Sequence, residues 1–224
     1  MQLAADSAAK SRIDPALYGR YSVKRGLRND DGTGVLVGLT EVGEVFSYIM
    51  DDADRIPVEG RLFYRGIEIS ELVTGFYEDK RFGFEETAYL LLFGELPTAG
   101  QLSLFEDLLA SYRNLPDNFT EDMILKAPSP DIMNKLARTV LALYPYDSDP
   151  ENLAIENVLR QCIQLIARFP ILISQAYMAK RHYVDKQSLF LHTPKPQFTT
   201  AENILALIRP DGQFTDLEAR ILDL

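Results

Sequence analysis

Residues 163–173 leave almost no polar face on a helix, and this constrains the fold more than any other feature of the chain. One stripe of a helix would pass through Ile155, Leu159, Cys162, Ile166 and Phe169. The rest of the helix surface would also be apolar, with Ile163, Leu165, Ala167, Ile171, Leu172 and Ile173. A helix that is apolar nearly all round must be buried on all sides. The sequence therefore predicts a core helix, which Pro170 should kink or divide in two.

Helix-start and helix-stop signals follow one another from about residue 68, where the apolar period becomes helical. Three threonines are each followed three positions later by Glu or Gln, which is the capping-box pattern, at Thr98, Thr199 and Thr215. Ser129-Pro130 and Asp149-Pro150 are typical of an N-cap followed by proline at the first helical position. Other stretches supply helical stripes: Phe84, Ala88, Leu91 and Leu92, closed by Gly94, and then Met133, Leu136, Val140 and Leu143.

The N-terminal part lacks this helical pattern. Residues 1–25 have no apolar periodicity, which predicts a flexible arm with one short helical turn. Residues 35–40 and 44–49 are β-prone and predict a hairpin joined through Gly43. Residues 61–67 predict another short strand that ends at Gly66. The predicted fold class is mainly α, a helical bundle with a small N-terminal β-hairpin region.

The charge and the cysteine content exclude several classes of function. The net charge of −10 argues against nonspecific binding to nucleic acid or to anionic membranes, which needs a positive field. The single cysteine excludes an internal disulfide framework and fits a reducing compartment. No apolar run approaches the roughly 20 residues that span a bilayer, and the N-terminus has no apolar signal core. We expect a cytoplasmic protein without membrane association.

Two loops have a superficial likeness to ligand sites. Asp30-Asp31-Gly32-Thr33-Gly34 resembles a phosphate-binding loop but lacks the Gly-Lys-Ser/Thr end of a P-loop, so a plain turn is favoured. Asp51-Asp52-Ala53-Asp54 lacks the alternation and closing glutamate of a calcium loop, so a solvated loop is favoured. Neither motif predicts a ligand site.

The histidines and the cysteine do not form a catalytic constellation either. His182 and His192 have no metal-ligand spacing to each other or to cysteine or carboxylate partners, so we expect surface or locally hydrogen-bonded roles. Cys162 lies on the apolar stripe and reads as a buried small hydrophobe rather than a nucleophile. No Gly-x-Ser-x-Gly nucleophile elbow occurs. From the residues alone, no catalytic or metal-binding residue is predicted.

Short sequence motifs occur in an order that resembles that of the citrate synthase family over residues 26–224. The most specific run is residues 84–98, Phe-Glu-Glu-Thr-Ala-Tyr-Leu-Leu-Leu-Phe-Gly-Glu-Leu-Pro-Thr. Further matches, in order, are residues 26–29, 31–35, 64–67, 71–72, 131–134, 140–147, 156–157, 165–170, 200–203 and 217–224. The resemblance implies a mostly helical large domain, of which residues 26–224 would be the N-terminal part.

The resemblance also implies an activity, the condensation of acetyl-CoA with oxaloacetate and hydrolysis of the product to citrate and CoA, at the entry to the tricarboxylic acid cycle. In the family an aspartate and two histidines perform the acid–base chemistry, arginines hold the substrate carboxylates, and no metal or redox cofactor is required. The first of those histidines belongs to a Glu-His-Gly-Gly-Gly-Asn-like motif after the stretch that matches residues 222–224. His182 and His192 align with neither role, so no catalytic residue is carried over, and the residues that bind acetyl-CoA stay unknown.

The helix that begins at Thr215 reaches Leu224 without a closing Gly, Asn or Pro, which favours a truncated chain that is inactive alone. The family resemblance further implies a homodimer through helices near residues 131–143 and 151–180. Two alternatives stay open: a noncatalytic short homologue that acts as an assembly partner, and a fragment of a 2-methylcitrate synthase, which uses propionyl-CoA.

Overall fold

The computed structural model of the chain describes residues 14–21, 24, 26–29, 33–35, 40–51 and 54–224. They fall into two units, one within Met1–Thr40 and the other Glu41–Leu224. In the first unit α1 (Ala16–Arg20) is the short helical turn that the sequence predicts, and an antiparallel bridge joins Arg28 to Gly34. Most of the arm predicted over residues 1–25 lies outside the described residues.

The second unit begins with a three-stranded antiparallel sheet in the order β1-β2-β3. The strands are β1 (Gly43–Asp51), β2 (Asp54–Tyr64) and β3 (Ile67–Glu68). β1 and β2 pair from Gly43 opposite Tyr64 to Asp51 opposite Asp54, with a bulge between Phe46 and Tyr48. An ion pair of 2.9 Å between Arg61 Nε and Glu68 Oε1 links β2 to β3.

The strand predicted over residues 44–49 is confirmed as part of β1, which pairs with β2. Its predicted pairing with residues 35–40 falls largely outside the described residues. Val35 and Thr40 lie in no strand, and residues 36–39 lie outside the described residues. At the ends of the predicted solvated loop, the exposed residues Asp51 and Asp54 pair with each other, and residues 52 and 53 lie outside the described residues.

Helices make up the rest, which confirms the predicted fold class. They are α2 (Ile69–Glu78), α3 (Phe84–Phe93), α4 (Ala99–Tyr112), a π-helix (Thr120–Leu125), α5 (Ile132–Leu143), a 3-10 turn (Tyr144–Tyr146), α6 (Ile155–Tyr183), α7 (Thr200–Ile208) and α8 (Asp216–Asp223). All three predicted capping boxes are present, at Thr98, Thr199 and Thr215. Gly94 ends α3 with a φ of 86°, a left-handed conformation that glycine adopts without strain.

Two predicted helix starts are wrong because nearby polar side chains cap the backbone elsewhere. Asp131, not Ser129, is the N-cap of α5, since its carboxylate accepts a 3.0 Å hydrogen bond from Asn134 N–H. α6 begins at Ile155 rather than after Pro150. Asn152 holds the intervening turn by donating to the Asp149 carboxylate and accepting from Ala154 N–H.

The long helix α6 lies at the centre and packs against α4, α5, α7 and the π-helix. No side chain from residue 157 to residue 176 is exposed, as the apolar pattern predicts. Division at Pro170 does not occur, because α6 continues through this buried residue, and Ser174 Oγ donates a 2.7 Å hydrogen bond to the Pro170 carbonyl. Two of the three core clusters include side chains of α6: Leu172 and Ala179 with Phe119, Ile124, Leu136 and Leu143, and Ile163 and Ala167 with Phe105 and Leu109.

By length and composition, α6 is also the one helix among the described residues that is long and apolar enough to cross a membrane. Half of its most apolar stretch is buried inside the protein. Polar residues such as Gln164 and Arg168 interrupt it, which is why no apolar run of that length stands out in the sequence. Its helical neighbours make it the core helix of this unit.

The start of α8 predicts a pH-dependent contribution to stability. Arg209 lowers the pKa of Glu218 to about 2 through a hydrogen-bonded ion pair, and hydrogen bonds to Thr215 add to the effect. Since this pKa lies below the unfolded value of about 4.3, the contribution is complete above that pH and is lost as the pH falls through about 2. We expect Glu218→Gln to lower the melting temperature at pH 6, and the difference from the unmodified chain to shrink towards pH 2.

Thermal unfolding followed by circular dichroism between pH 2 and pH 6 measures this difference. Glu121→Gln is the matched control, because the Glu121 side chain forms no ion pair among the described residues. A difference between Glu218→Gln and the unmodified chain that stays constant with pH would contradict the assignment.

Candidate functional site

Three buried polar side chains surround the backbone of residues 195–200. Glu85 lies in the first turn of α3, Arg113 directly follows α4, and Asn203 lies in the first turns of α7. Only 2% of Glu85 and 5% of Arg113 is exposed, and Asn203 is fully buried. Buried charges are costly unless they are paired or hydrogen-bonded, so the partners of these groups determine what the site can do.

Asn203 and Arg113 hold residues 195–199 in place by binding the same carbonyl groups. The Asn203 amide donates to the carbonyls of Lys195, Phe198 and Thr199 at 3.1, 2.9 and 3.1 Å, and its Oδ1 accepts from Lys195 N–H at 2.9 Å. Arg113 Nη1 donates to the Lys195 and Phe198 carbonyls, both at 3.0 Å. These contacts satisfy backbone groups that have no partner in regular secondary structure.

Glu85 fixes the start of α7 from a distant part of the chain. Its Oε1 accepts a 2.8 Å hydrogen bond from Thr200 N–H, the first residue of α7, where the helix dipole favours a negative charge. Its second oxygen, Oε2, is buried and has no hydrogen-bond partner among the described residues, and the same holds for Arg113 Nε. The site therefore keeps one unused acceptor and one unused donor.

A cavity of about 170 Å³ lies beside these groups. Its lining residues are Glu85, Glu106, Asp107, Leu109, Arg113, Pro196, Gln197, Phe198 and Thr199. Partial burial raises the pKa of Glu106, and the carboxylates of Glu85 and Asp107 raise it further. Burial lowers the pKa of Arg113, while Glu85 opposes this shift. The cavity is thus lined by crowded carboxylates around a single guanidinium group.

The carboxylate of Asp223 caps α3 from near the end of α8. Asp223 Oδ2 accepts from Gly83 N–H at 2.5 Å and Oδ1 accepts from Phe84 N–H at 3.3 Å. Burial raises the pKa of Asp223, whereas these two hydrogen bonds act to lower it. Gly83 cannot be replaced without rearrangement, because a Cβ there would come within 2.4 Å of the Phe76 ring. α3 consequently takes its N-terminal cap from a residue 140 positions away.

An apolar stripe on α5 faces solvent, next to the core stripe of the same helix. Met133, predicted to lie with Leu136, Val140 and Leu143, is instead exposed together with Leu141 and Tyr144. Beside it lies a cavity of about 260 Å³ between α5 and α6, lined by Val140, Leu141, Leu143, Tyr144, Asp147, Pro150, Gln161, Gln164, Leu165 and Arg168. The family resemblance implies a subunit interface in this part of the chain, and the described residues include exposed apolar side chains on α5.

The histidines and the cysteine are not brought together. His182 Nδ1 lies 2.8 Å from the Gln187 carbonyl and His192 Nε2 lies 2.9 Å from the Arg209 carbonyl, which confirms their locally hydrogen-bonded roles. Cys162 is half-buried rather than fully buried. Among the described residues no group of three or more His, Cys, Asp or Glu side chains is arranged to hold a metal ion.

Only the ends of the loop that resembles a phosphate-binding motif are described, and hydrogen bonds join them. Asn29 N–H donates to the Thr33 carbonyl at 2.9 Å, and the Asn29 amide donates to Thr33 Oγ1 at 2.8 Å. Residues 30–32 lie outside the described residues.

Comparison with known proteins decides the family. A sequence model described as "Citrate synthase, C-terminal domain" matches residues 31–224. The chain belongs to the citrate synthase family. The citrate synthase of Corynebacterium glutamicum is 30% identical over 166 residues, which cover 74% of this chain and 35% of that protein. A 2-methylcitrate synthase of Mycobacterium tuberculosis is 26% identical over 168 residues, which cover 75% of this chain and 37% of that protein.

Solved structures agree on the fold. The citrate synthase of Pyrobaculum aerophilum has a TM-score of 0.61 at 24% identity, over 78% of this chain and 40% of that one. The enzyme of Thermotoga maritima has a TM-score of 0.58 at 24% identity, over 89% of this chain and 44% of that one. This chain thus spans well under half the length of the relatives it matches. Residue patterns do not predict the buried hydrogen bonds of Glu85, Arg113 and Asp223, because the partners of these side chains lie far away along the chain.

We expect Asn203→Ala to lower the free energy of unfolding by about 3 kcal/mol, because it leaves buried backbone groups of residues 195–199 without partners. Asn114→Ala, at an exposed position, should change it by less than about 0.5 kcal/mol. Urea denaturation followed by circular dichroism measures both values. Limited proteolysis adds a local readout, since cleavage within residues 195–199 should accelerate only in Asn203→Ala. Equal effects of the two substitutions would contradict the role given to Asn203.

Proposed function

We propose that the chain is the N-terminal scaffold of the large domain of a citrate synthase, which condenses acetyl-CoA and oxaloacetate with water to give citrate and CoA. The observation that carries this proposal is the family match over residues 31–224. The buried network of Glu85, Arg113 and Asn203 and the distal cap by Asp223 would give this scaffold its rigidity, which suits chemistry that depends on accurately positioned acid–base groups.

In this proposal the chain supplies no acid–base residue of the reaction and does not turn over alone. Support comes from the coverage of about a third of the C. glutamicum enzyme. It comes also from the two histidines, each of which has a ring nitrogen engaged with a backbone carbonyl. Acetyl-CoA and oxaloacetate are substrates of the whole enzyme, no metal or redox cofactor takes part, and the enzyme works in the cytoplasm.

We expect the purified chain to release no thiol from acetyl-CoA in the presence of oxaloacetate above the uncatalysed background. A spectrophotometric thiol assay measures this, with the C. glutamicum citrate synthase as positive control. Turnover of the size usual for enzymes, on the order of 10 per second, would contradict the proposed inactivity of the chain alone.

A second candidate is part of a 2-methylcitrate synthase, because several such enzymes match at identities similar to those of the citrate synthases, one at 27% over 180 residues. Because the chain alone is proposed to be inactive, the same assay distinguishes the two with a full-length enzyme that contains this chain: thiol release with propionyl-CoA but not with acetyl-CoA would favour this candidate. A noncatalytic homologue that assembles with a full-length subunit is the other alternative, and co-purification with such a subunit in the absence of turnover would favour it.

We also propose a homodimer through the helices near residues 131–143 and 151–180. The exposed apolar stripe on α5 supports it, with 75% of Leu141 exposed, and so does the adjoining apolar cavity. Ile155 at the start of α6 is also exposed. Isologous dimers bury the same surface of both subunits. One substitution therefore changes the interface at two symmetry-related positions.

Leu141→Asp should therefore weaken the dimer by at least about tenfold, because it buries two unpaired charges in the interface. Leu104→Asp on α4 is the matched control, since 71% of Leu104 is exposed and it lies outside the proposed surface. Sedimentation equilibrium measures both dissociation constants. A monomeric unmodified chain, or equal effects of the two substitutions, would contradict this interface.

A further inference from the structure

A methionine lies on the apolar stripe that α5 exposes to solvent. Met133 is in the first turn of α5, and 74% of it is exposed. Ala137 and Leu141 on the same helix are exposed as well, and so is Tyr144 directly after it. At roughly 100° per residue, positions 133, 137, 141 and 144 fall within about 80° of one another. A thioether therefore belongs to the surface proposed for the homodimer.

Two other methionines whose side chains the structure describes are less accessible. Met123, on the π-helix, is half-buried and packs against a core cluster. Only 1% of Met178, on α6, is exposed. A thioether does not ionise, so its access to solvent decides how fast a peroxide reaches the sulfur. We expect Met133 to be oxidised first of the three in the free chain.

Oxidation reverses the polarity of this part of the stripe. Hydrogen peroxide transfers one oxygen atom to the sulfur: the O–O bond breaks, an S–O bond forms, the sulfur is oxidised by two electrons and the peroxide is reduced to water. The product, methionine sulfoxide, is polar where the thioether was apolar. In an isologous dimer both subunits carry the change. A polar oxygen that is buried without a hydrogen-bond donor is costly.

We propose that Met133 is a reversible oxidation site that controls the homodimer, in which the reduced thioether permits association and the sulfoxide weakens it. The proposal rests on the homodimer through α5 and α6 proposed above. Since that dimer would cover Met133, association protects the sulfur from peroxide. Oxidation and association therefore oppose each other, and methionine sulfoxide reductases restore the associating form.

Sedimentation equilibrium of the full chain before and after treatment with hydrogen peroxide tests the proposal, with peptide mass mapping to follow each side chain. Complete oxidation of Met133 should raise the dimer dissociation constant by about tenfold or more, since each dimer buries two sulfoxides. Treatment with methionine sulfoxide reductases for both epimers should reverse the change. Met133→Leu is the matched control, because it keeps the stripe apolar and retains Cys162, Met123 and Met178. An equal rise in Met133→Leu would overturn the proposal.

The rate of oxidation gives a second readout. We expect Met133 to be oxidised several times more slowly at protein concentrations well above the dimer dissociation constant than well below it. Met123 is the internal reference, because it lies outside the stripe and its rate should be the same at both concentrations. A rate at Met133 that does not depend on protein concentration would contradict the protection expected from the dimer.

A substitution reproduces the polar state without peroxide. Met133→Gln should raise the dimer dissociation constant about as much as oxidation does, whereas Leu104→Gln, at an exposed position on α4, should leave it unchanged. A monomeric unmodified chain would contradict the homodimer and this proposal together. A dimer whose dissociation constant is unaffected by complete oxidation and by Met133→Gln would contradict this proposal alone.

Discussion

The burial of α6 is the constraint on which the rest of the structure depends. No side chain of this helix is exposed from residue 157 to residue 176, because α4, α5, α7 and the π-helix pack against it. Two of the three core clusters contain its side chains, so these helices acquire their positions by packing against it. Packing on all sides also explains how Pro170 is accommodated, since the surrounding contacts stabilise a helix that has lost one of its own hydrogen bonds.

The same packing buries backbone groups at the helix ends that have no partner within the helix. Charged and amide side chains from other elements form hydrogen bonds with these groups. Asn203 and Arg113 bind the carbonyls before α7, Glu85 binds its first N–H, and Asp223 caps α3. Each solution places polar atoms in a desolvated environment, which shifts the pKa of Arg113 and Asp223. The unused acceptor of Glu85 and the unused donor of Arg113 remain where this network meets the acidic cavity.

Features that depend on residues close together in the chain can be predicted from the sequence, whereas contacts between residues far apart in the chain cannot. The capping box at Thr98 needs only residues three positions apart, and the apolar side chains that predominate in residues 163–173 require burial whatever the neighbours are. The sequence correctly predicts residues 44–49 as a strand, but it does not predict the pairing of this strand with β2, because strand partners need not be neighbours in the pattern. The contact between Glu85 and Thr200 joins residues 115 positions apart, and no periodicity encodes it. Family resemblance pointed to the stretches that contain Glu85 and Asp223 without assigning them a role.

The cap on α3 has a consequence for the order of folding. During synthesis the first N–H groups of α3 emerge long before Asp223, so until then only water can satisfy them, and the start of this helix is free to fray. Closing a loop of 140 residues is slow compared with forming a helix. α3 can therefore be formed early but becomes secured only when α8 docks. The docking of α8 thus couples synthesis as far as residue 223 to the rigidity of the start of α3.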